Sequence, residues 1–161
     1  IMSLLDVDAQ DCVCIVSGES IVIEAAIAAS EGTIIAVEGD DGSMQAMEEN
    51  ADKFGVHNVE IVKDVSEESM KGLPTPRLAF IVASVDLDKQ IGQLLKKNPT
   101  MQFVIYTLEL DILSGIKEIF QKYQIQDSET MQISVSKTNS KSVFVAQPSP
   151  WLITGQAVVT K

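Results

Sequence analysis

The sequence predicts an α/β fold built on a mostly parallel sheet that ends in an antiparallel hairpin. Short β-branched runs alternate with helical patterns along most of the chain, as in repeated strand-helix-strand units with right-handed crossovers. These runs are apolar throughout, which is typical of strands that are buried on both faces of a parallel sheet. Near the C-terminus the pattern changes to two alternating strands around a short polar turn, which predicts the hairpin.

The elements can be placed one by one along the chain. The apolar runs predict strands at Cys12–Val16, Thr33–Val37, Val59–Lys63, Leu78–Val82 and Met101–Tyr106. Apolar residues at helical spacing predict helices at Ser20–Ser30, Asp41–Phe54, Leu87–Lys97 and Glu109–Tyr123. The hairpin is predicted at Met131–Lys137 and Ser142–Gln147, before a further apolar stretch at Trp151–Thr154. Ile1, Leu4 and Leu5 already have the spacing of a helix face. We therefore expect residues 1–161 to form a single domain, trimmed at its N-terminus from a longer chain.

Composition excludes several classes of partner. The 161 residues include 23 acidic and 12 basic side chains, which gives a formal net charge of −11. Such acidity disfavours binding to nucleic acid or to anionic lipid, because both need a surplus of Lys and Arg. No apolar run reaches the roughly 20 residues of a membrane span. Cys12 and Cys14 lack a second pair that would complete a zinc site, so we expect small buried hydrophobes in a reducing cytoplasm and no metal.

Residues at the ends of three predicted strands are candidates for a nucleoside-binding site. The first strand is followed by Ser17, Gly18 and Glu19 and then by a helix, whose N-terminus favours negative charge. Glu38 ends the second strand 20 residues beyond Gly18, where an acid accepts hydrogen bonds from ribose hydroxyls. Asp64 follows the third strand and would lie on the same rim of the sheet. Each acid also has a purely structural alternative. Glu38 could end its strand without binding a ligand, and Asp64 could cap the turn that follows it.

These residues resemble a known family, the methyltransferases that act on precorrin-6Y or its cobalt form and also decarboxylate it. The matching segments are Cys14–Ala26 around the first motif, Gly32–Glu38, Glu49–Asn50, Phe54–Val59, Ser134–Lys137 and Pro150–Gly155. They extend over nearly the whole chain. The resemblance implies a Rossmann-like class I methyltransferase fold with a mostly parallel seven-stranded sheet that ends in an antiparallel hairpin.

The resemblance also implies S-adenosylmethionine as cofactor, a tetrapyrrole as methyl acceptor with loss of carbon dioxide from an acetate side chain, and a homo-oligomer, dimer or tetramer. Carried over by position, the cofactor residues are Ser17, Gly18 and Glu19 for the methionine half, Glu38 and Gly39 at the ribose, and Asp64 and Val65 at the adenine. The substrate residues are Ser84, Lys137 and Arg77. The sequence identifies no general acid or base.

The chain departs from the family pattern at its first motif. Cys14 replaces the strand-end Asp, two of three motif glycines are absent, and Val16 adds bulk beside the cofactor path. Val82-Ala83-Ser84 stands where the family has a Gly-Gly pair. Three hypotheses therefore remain: a precorrin methyltransferase, a non-catalytic domain of the same fold that serves assembly or regulation, and a methyltransferase for another small acceptor.

The acidic balance sets a condition on a polycarboxylate substrate such as a precorrin. Its carboxylates need basic partners at the mouth of the site, and the candidates are Lys63, Arg77, Lys137 and Lys141. For Arg77, the only arginine, a structural salt bridge is the alternative. The first hypothesis predicts that these side chains gather at the carboxyl edge of the sheet.

Overall fold

The computed structural model describes residues 1–134, 136–138, 144–146 and 149–158. The helices are α1 (Met2–Leu5), α2 (Glu19–Ala28), α3 (Asp41–Lys53), α4 (Glu67–Met70), α5 (Leu87–Lys97) and α6 (Leu110–Lys122). The strands are β1 (Cys12–Val16), β2 (Thr33–Val37), β3 (Val59–Val62), β4 (Leu78–Val82), β5 (Gln102–Thr107), β6 (Ile125–Gln132), β7 (Ser136–Thr138), β8 (Phe144–Ala146) and β9 (Trp151–Ala157).

Seven strands form one sheet in the order β3-β2-β1-β4-β5-β9-β6. Strands β1 to β5 pair in parallel, and β9 lies antiparallel between β5 and β6. This confirms the predicted mostly parallel, seven-stranded α/β sheet with an antiparallel end. The parallel strands place the ends of β1, β2, β3 and β4 at one edge, where open α/β sheets bind their ligands.

The antiparallel end is built from different residues than predicted. The strand that pairs with β9 begins at Ile125, not at Met131. The described part of the expected hairpin, β7 and β8, pairs as a separate two-stranded sheet. The prediction failed here because the start of β6 is a polar edge strand with a register shift between Gln126 and Glu129, so it shows no apolar alternation. Residues 135, 139–143 and 147 of the expected hairpin lie outside the described residues.

Two apolar layers cover the sheet. On one face, Val13 and Ile15 of β1 pack with residues of α1, α2 and α3. On the other face, Cys14 and Val16 pack with residues of α5 and α6. This alternation follows the two-residue period of a strand, and it explains why β1 reads as a continuous apolar run. It also directs Val16, the last residue of β1, toward the face that carries α5.

Local sequence accounts for the positions of the elements that border the site. Asp40 begins α3, and its Oδ2 accepts a hydrogen bond from the Ser43 amide at 2.9 Å, as an N-cap does. Gly155 permits β9 to pass close to α6, because a Cβ there would lie 2.8 Å from Cε2 of Phe120. Cys12 and Cys14 are free cysteines. Cys14 is buried as expected, and burial raises its pKa to about 12, whereas Cys12 is only partly buried. No helix within the described residues is long and apolar enough to cross a bilayer.

Candidate functional site

A crevice of about 270 Å³ lies at the carboxyl edge of the sheet. Its lining residues are Val16, Ser17, Val37, Gly39, Lys63, Asp64, Val65, Ser84, Asp86, Lys89, Gln90 and Gln93. These residues follow β1, β2, β3 and β4, so the crevice spans four neighbouring strand ends. Of the predicted site residues, the structure brings Ser17, Gly39, Asp64, Val65 and Ser84 together here.

Glu38 stands at the end of β2 between two residues that line the crevice. Its side chain is 8% exposed, and its Oε1 is a buried oxygen without a hydrogen-bond partner. Burial raises the pKa of Glu38, and the neighbouring carboxylates of Glu19 and Asp40 raise it further. A buried, unpaired acceptor is costly, and a vicinal diol would supply the missing donors. The residue therefore fits the ribose of a nucleoside cofactor.

The turn after β1 has a tight geometry although Gly18 is its only glycine. Ser17 adopts a left-handed conformation with φ +58°, a region that glycine enters without steric cost. Its amide donates to the Val37 carbonyl oxygen at 3.0 Å, which holds the ends of β1 and β2 together. Gly18 begins α2, and a Cβ there would lie 2.7 Å from Cγ2 of Ile15 and 3.2 Å from the Phe80 ring. Glu19 follows as an exposed residue in the first turn of the helix.

Asp64 is engaged by its own turn. Its Oδ1 accepts hydrogen bonds from the Ser66 amide at 3.0 Å and the Ser66 hydroxyl at 2.6 Å. Hydrogen bonds from Ser66 and Ser69 lower the pKa of Asp64 to about 2, which keeps it ionised. At least one of the two carboxylate oxygens of Asp64 therefore caps the following turn, which is the structural alternative for this residue. Val65, which follows it, is buried at 2% exposure and gives the crevice an apolar wall.

The first turns of α5 supply residues that the sequence analysis missed. Lys89, Gln90 and Gln93 line the crevice, and Oε1 of Gln90 is buried without a hydrogen-bond partner. Ser84, which ends the preceding loop, accepts a hydrogen bond from the Asp86 amide at 3.2 Å. The available signal was the position of α5 directly after β4, since a helix that begins at the carboxyl edge turns its first residues toward the ligand crevice.

Arg77 does not belong to this site. It precedes β4, so it lies at the amino edge of the sheet, and its Nη2 is 2.8 Å from Oδ2 of Asp11. Further hydrogen bonds run from Nη1 to Gln102 and from Nη2 to the carbonyl oxygen of Leu5. The expectation that Arg77 contacts substrate is thus corrected, and the salt bridge accounts for the residue. The reason is directional, because residues before parallel strands lie opposite the ligand edge.

The other predicted basic residues have different outcomes. Lys63 lines the crevice. Lys137 lies in β7, and Lys141 lies outside the described residues. A larger open groove of about 1000 Å³ adjoins the crevice and shares Val65 and Gln93 with it. Its lining residues include three more lysines, Lys71, Lys96 and Lys97.

The strand order β3-β2-β1-β4-β5-β9-β6 is that of the Rossmann-like class I methyltransferases, which depend on S-adenosylmethionine. The match to one family model is more specific. A model described as precorrin methyltransferase domain matches residues 13–148, and the chain belongs to that family. No curated protein sequence matches the chain significantly.

Solved structures with the same fold include enzymes named for precorrin chemistry. The precorrin-6Y C5,15-methyltransferase of Geobacter metallireducens GS-15 superposes with a TM-score of 0.86 at 23% identity, over 98% of this chain and 85% of that one. The precorrin 8W decarboxylase of Methanobacterium thermoautotrophicum gives 0.78 at 16% identity, over 98% and 87%. The C-terminal domain of the Rhodobacter capsulatus precorrin-6Y C5,15-methyltransferase gives 0.73 at 17% identity, over 96% and 85%. At these identities the structures are evidence for the fold.

Proposed function

We propose that this protein transfers a methyl group from S-adenosylmethionine to a ring carbon of a precorrin in cobalamin biosynthesis, with coupled loss of carbon dioxide from an acetate side chain. The observation that carries the proposal is the unpaired, buried oxygen of Glu38 at the end of β2. An acceptor in this place, beside a crevice at the strand ends, is matched by the hydroxyls of a cofactor ribose. The family membership supplies the reaction class.

We expect residues of this chain to bind the cofactor and to orient it toward the methyl acceptor. Glu38 would accept hydrogen bonds from the ribose, while Gly18 and Glu19 would place backbone amides and the N-terminus of α2 beside the methionine half. Ser17 would set the turn that precedes them. Asp64 and Val65 would border the adenine. S-adenosylmethionine, when bound, supplies an activated methyl group on a sulfonium. The protein would then contribute to catalysis mostly by aligning the accepting carbon with that methyl group.

Two lysines of the crevice are candidate partners for the carboxylates of a precorrin. Lys63 and Lys89 line the crevice itself, and the adjoining groove adds Lys71, Lys96 and Lys97. The acids Asp64 and Asp86 line the crevice as well. Lys96 and Lys97 lie in the last turn of α5, away from the carboxyl edge where that helix begins, so Lys63 and Lys89 are the lysines available to a precorrin at this edge. Lys97 is partly committed, because its Nζ donates to the carbonyl oxygens of Met70 and Leu73 at 2.9 Å each.

The test is an activity assay with methyl-labelled S-adenosylmethionine and a reduced precorrin-6 as acceptor. We expect label in the tetrapyrrole and release of carbon dioxide. A Glu38→Ala variant should lose the reaction, while Glu48→Ala, which alters an exposed acid on α3, should keep it. Label transfer without carbon dioxide release would remove the decarboxylation from the proposal, and no label transfer would overturn the methyltransferase activity.

A non-catalytic role is the second candidate, and one observation favours it. Val16 occupies a motif position that carries glycine in the family, and it lines the crevice, where it narrows the approach to the methionine half. Such a domain would bind the cofactor weakly or not at all and serve assembly or regulation. Weak or absent binding of S-adenosylhomocysteine, together with no turnover on any precorrin, would favour this role.

We further propose that the protein works in the cytoplasm as a homo-oligomer. Trp151 is a candidate contact, since it begins β9 and is only partly buried in the single chain. Light scattering coupled to size-exclusion chromatography should give the mass of a dimer or tetramer of the 17.5 kDa chain. A Trp151→Ser variant should shift that mass toward the monomer, whereas a monomeric wild-type protein would refute this part of the proposal.

A further inference from the structure

Two buried side-chain atoms within the described part of the chain lack a hydrogen-bond partner: Oε1 of Glu38 and Oε1 of Gln90. Buried polar atoms are paired in most proteins, so an exception calls for an explanation such as a ligand. The proposed cofactor explains Glu38, because its ribose offers two hydroxyls. The proposed function assigns no role to Gln90.

The two orphan oxygens lie at the same edge of the sheet. Glu38 ends β2, and Gln90 is in the first turn of α5, which follows β4. Strand β1 lies between β2 and β4, and Val16 at its end and Val37 of β2 both line the crevice. Gln90 lines that crevice too. Its backbone amide donates to the Asp86 carbonyl oxygen at 2.9 Å, so the side chain projects from a hydrogen-bonded helix turn.

We propose that the Gln90 carboxamide recognises the adenine base of the cofactor through its N6 amino group and N7. The inference rests on the proposed function, since it takes the ribose to be held at Glu38. A base attached to that ribose, with the methionine half directed to Gly18, would lie in the crevice. Val65, which follows β3, and Gln90 of α5 both line it. A carboxamide offers one acceptor and one donor, which match N6–H and N7 of adenine as a bidentate pair.

Other polar residues of the crevice are less suited to this task. Asp64 is exposed, and its Oδ1 already accepts two hydrogen bonds from Ser66. The ammonium groups of Lys63 and Lys89 donate but cannot accept from an amino group. Gln90 thus supplies the buried, uncommitted acceptor on this side of the crevice.

The test measures affinities for S-adenosylhomocysteine and its 7-deaza analogue, in which a carbon replaces N7. We expect the wild-type protein to bind the 7-deaza analogue about tenfold more weakly, the size of one lost base contact. Gln90→Leu should bind S-adenosylhomocysteine about tenfold more weakly and should no longer distinguish the two ligands. Gln121→Leu is the control, since it alters an exposed glutamine of α6 that lies outside the crevice, and it should retain the preference.

A second variant keeps the test decisive if Gln90→Leu does not fold. Gln90→Glu retains an acceptor for N6 but has no donor for N7, so it too should lose the preference for S-adenosylhomocysteine. Equal binding of both ligands by the wild-type protein, or a preference that survives in the Gln90 variants, would overturn the inference and leave the proposed function intact. A wild-type protein that binds neither ligand would instead reject the proposed cofactor, and this inference with it.

Discussion

Arg77 and Asp11 join the amino-terminal ends of β4 and β1 through two parallel hydrogen bonds. Arg77 Nε donates to Asp11 Oδ1 at 2.9 Å, and Nη2 donates to Oδ2 at 2.8 Å. Nη2 also reaches the carbonyl oxygens of Leu5 and Asp6, so the same guanidinium holds the end of α1. This pairing at the edge opposite the crevice makes the only arginine of the chain a structural residue.

Replacement of Arg77 should therefore affect stability and leave ligand affinity unchanged. We expect Arg77→Leu to lower the free energy of unfolding by about 1–2 kcal/mol, because it removes a two-pronged pair and leaves backbone carbonyls without a donor. Arg77→Lys should recover only part of this loss, since an ammonium cannot form the fork. Urea unfolding measures the effect. Weaker binding of S-adenosylhomocysteine at unchanged stability would return Arg77 to the site.

The pH dependence of this pair has a defined sign. The hydrogen bond from Arg77 lowers the pKa of Asp11 below 3.8 in the folded protein. A depressed carboxyl pKa contributes stability that is present above the unfolded value and lost as the pH falls through the folded value. The difference in stability between wild type and Arg77→Leu should thus hold from neutral pH to about 4 and shrink below it. A difference that grows on acidification would contradict the assignment.

Ser17 and Gly55 give a matched pair for backbone strain. Both adopt left-handed conformations, with φ +58° and φ +68°. Ser17→Gly should raise the free energy of unfolding by up to about 1 kcal/mol, because relief of strain exceeds the added chain entropy. Gly55→Ala should lower it by about 1 kcal/mol, a purely conformational cost, since a Cβ there meets nothing within 4 Å. Changes of the same sign at the two positions in thermal melts would show that φ does not control them.

The ionised carboxylate of Glu38 should lower the stability of the ligand-free protein and strengthen the binding of the cofactor. Burial raises the pKa of Glu38 in the folded protein above 4.5, so its neutral form is favoured and its contribution to stability declines as the pH rises through that pKa. Glu38→Gln should therefore stabilise the ligand-free protein at neutral pH, by about 1 kcal/mol, while it weakens cofactor binding. Melting temperatures at pH 5 and 8 measure the first effect. Destabilisation at pH 8 would contradict the unpaired state of the carboxylate.

Wild-type affinity should depend on pH for the same reason. Ribose hydroxyls donate to the ionised carboxylate, so affinity for S-adenosylhomocysteine should fall as the pH drops through the raised pKa of Glu38. The decline should begin above the 4.5 of an ordinary glutamate. Calorimetric titrations between pH 5 and 8 check this, with Glu38→Gln as a control that should lack the decline. An identical decline in that variant would assign the effect to another group.

Particular residues show how far the sequence determines the architecture. The bounds of β1, β2, β4 and α5 were predicted correctly, because buried parallel strands and an amphipathic helix have strong apolar patterns. The start of β6 was missed, since this edge strand has a polar sequence from Gln126 to Thr130 and carries no such pattern. Apolar sequence patterns therefore predict buried elements well, but they predict the pairing of a polar edge strand poorly.

The site was predictable in part. Strand ends brought Ser17, Gly39 and Asp64 to one crevice, as parallel topology requires. Arg77 was misplaced although its position before β4 carried enough information to assign it to the opposite edge. Gln90 could not be identified from sequence, because its significance depends on an unpaired buried oxygen that only the packed structure reveals.

The most direct test of the central claim is a calorimetric titration of the purified protein with S-adenosylhomocysteine. We expect one binding site per chain, with an affinity that Glu38→Ala reduces by roughly 1–3 kcal/mol and that Glu48→Ala, an exposed acid on α3, leaves unchanged. Equal affinity in Glu38→Ala would refute the assigned site. No binding to the wild-type protein at millimolar ligand would contradict the account of a cofactor-dependent methyltransferase.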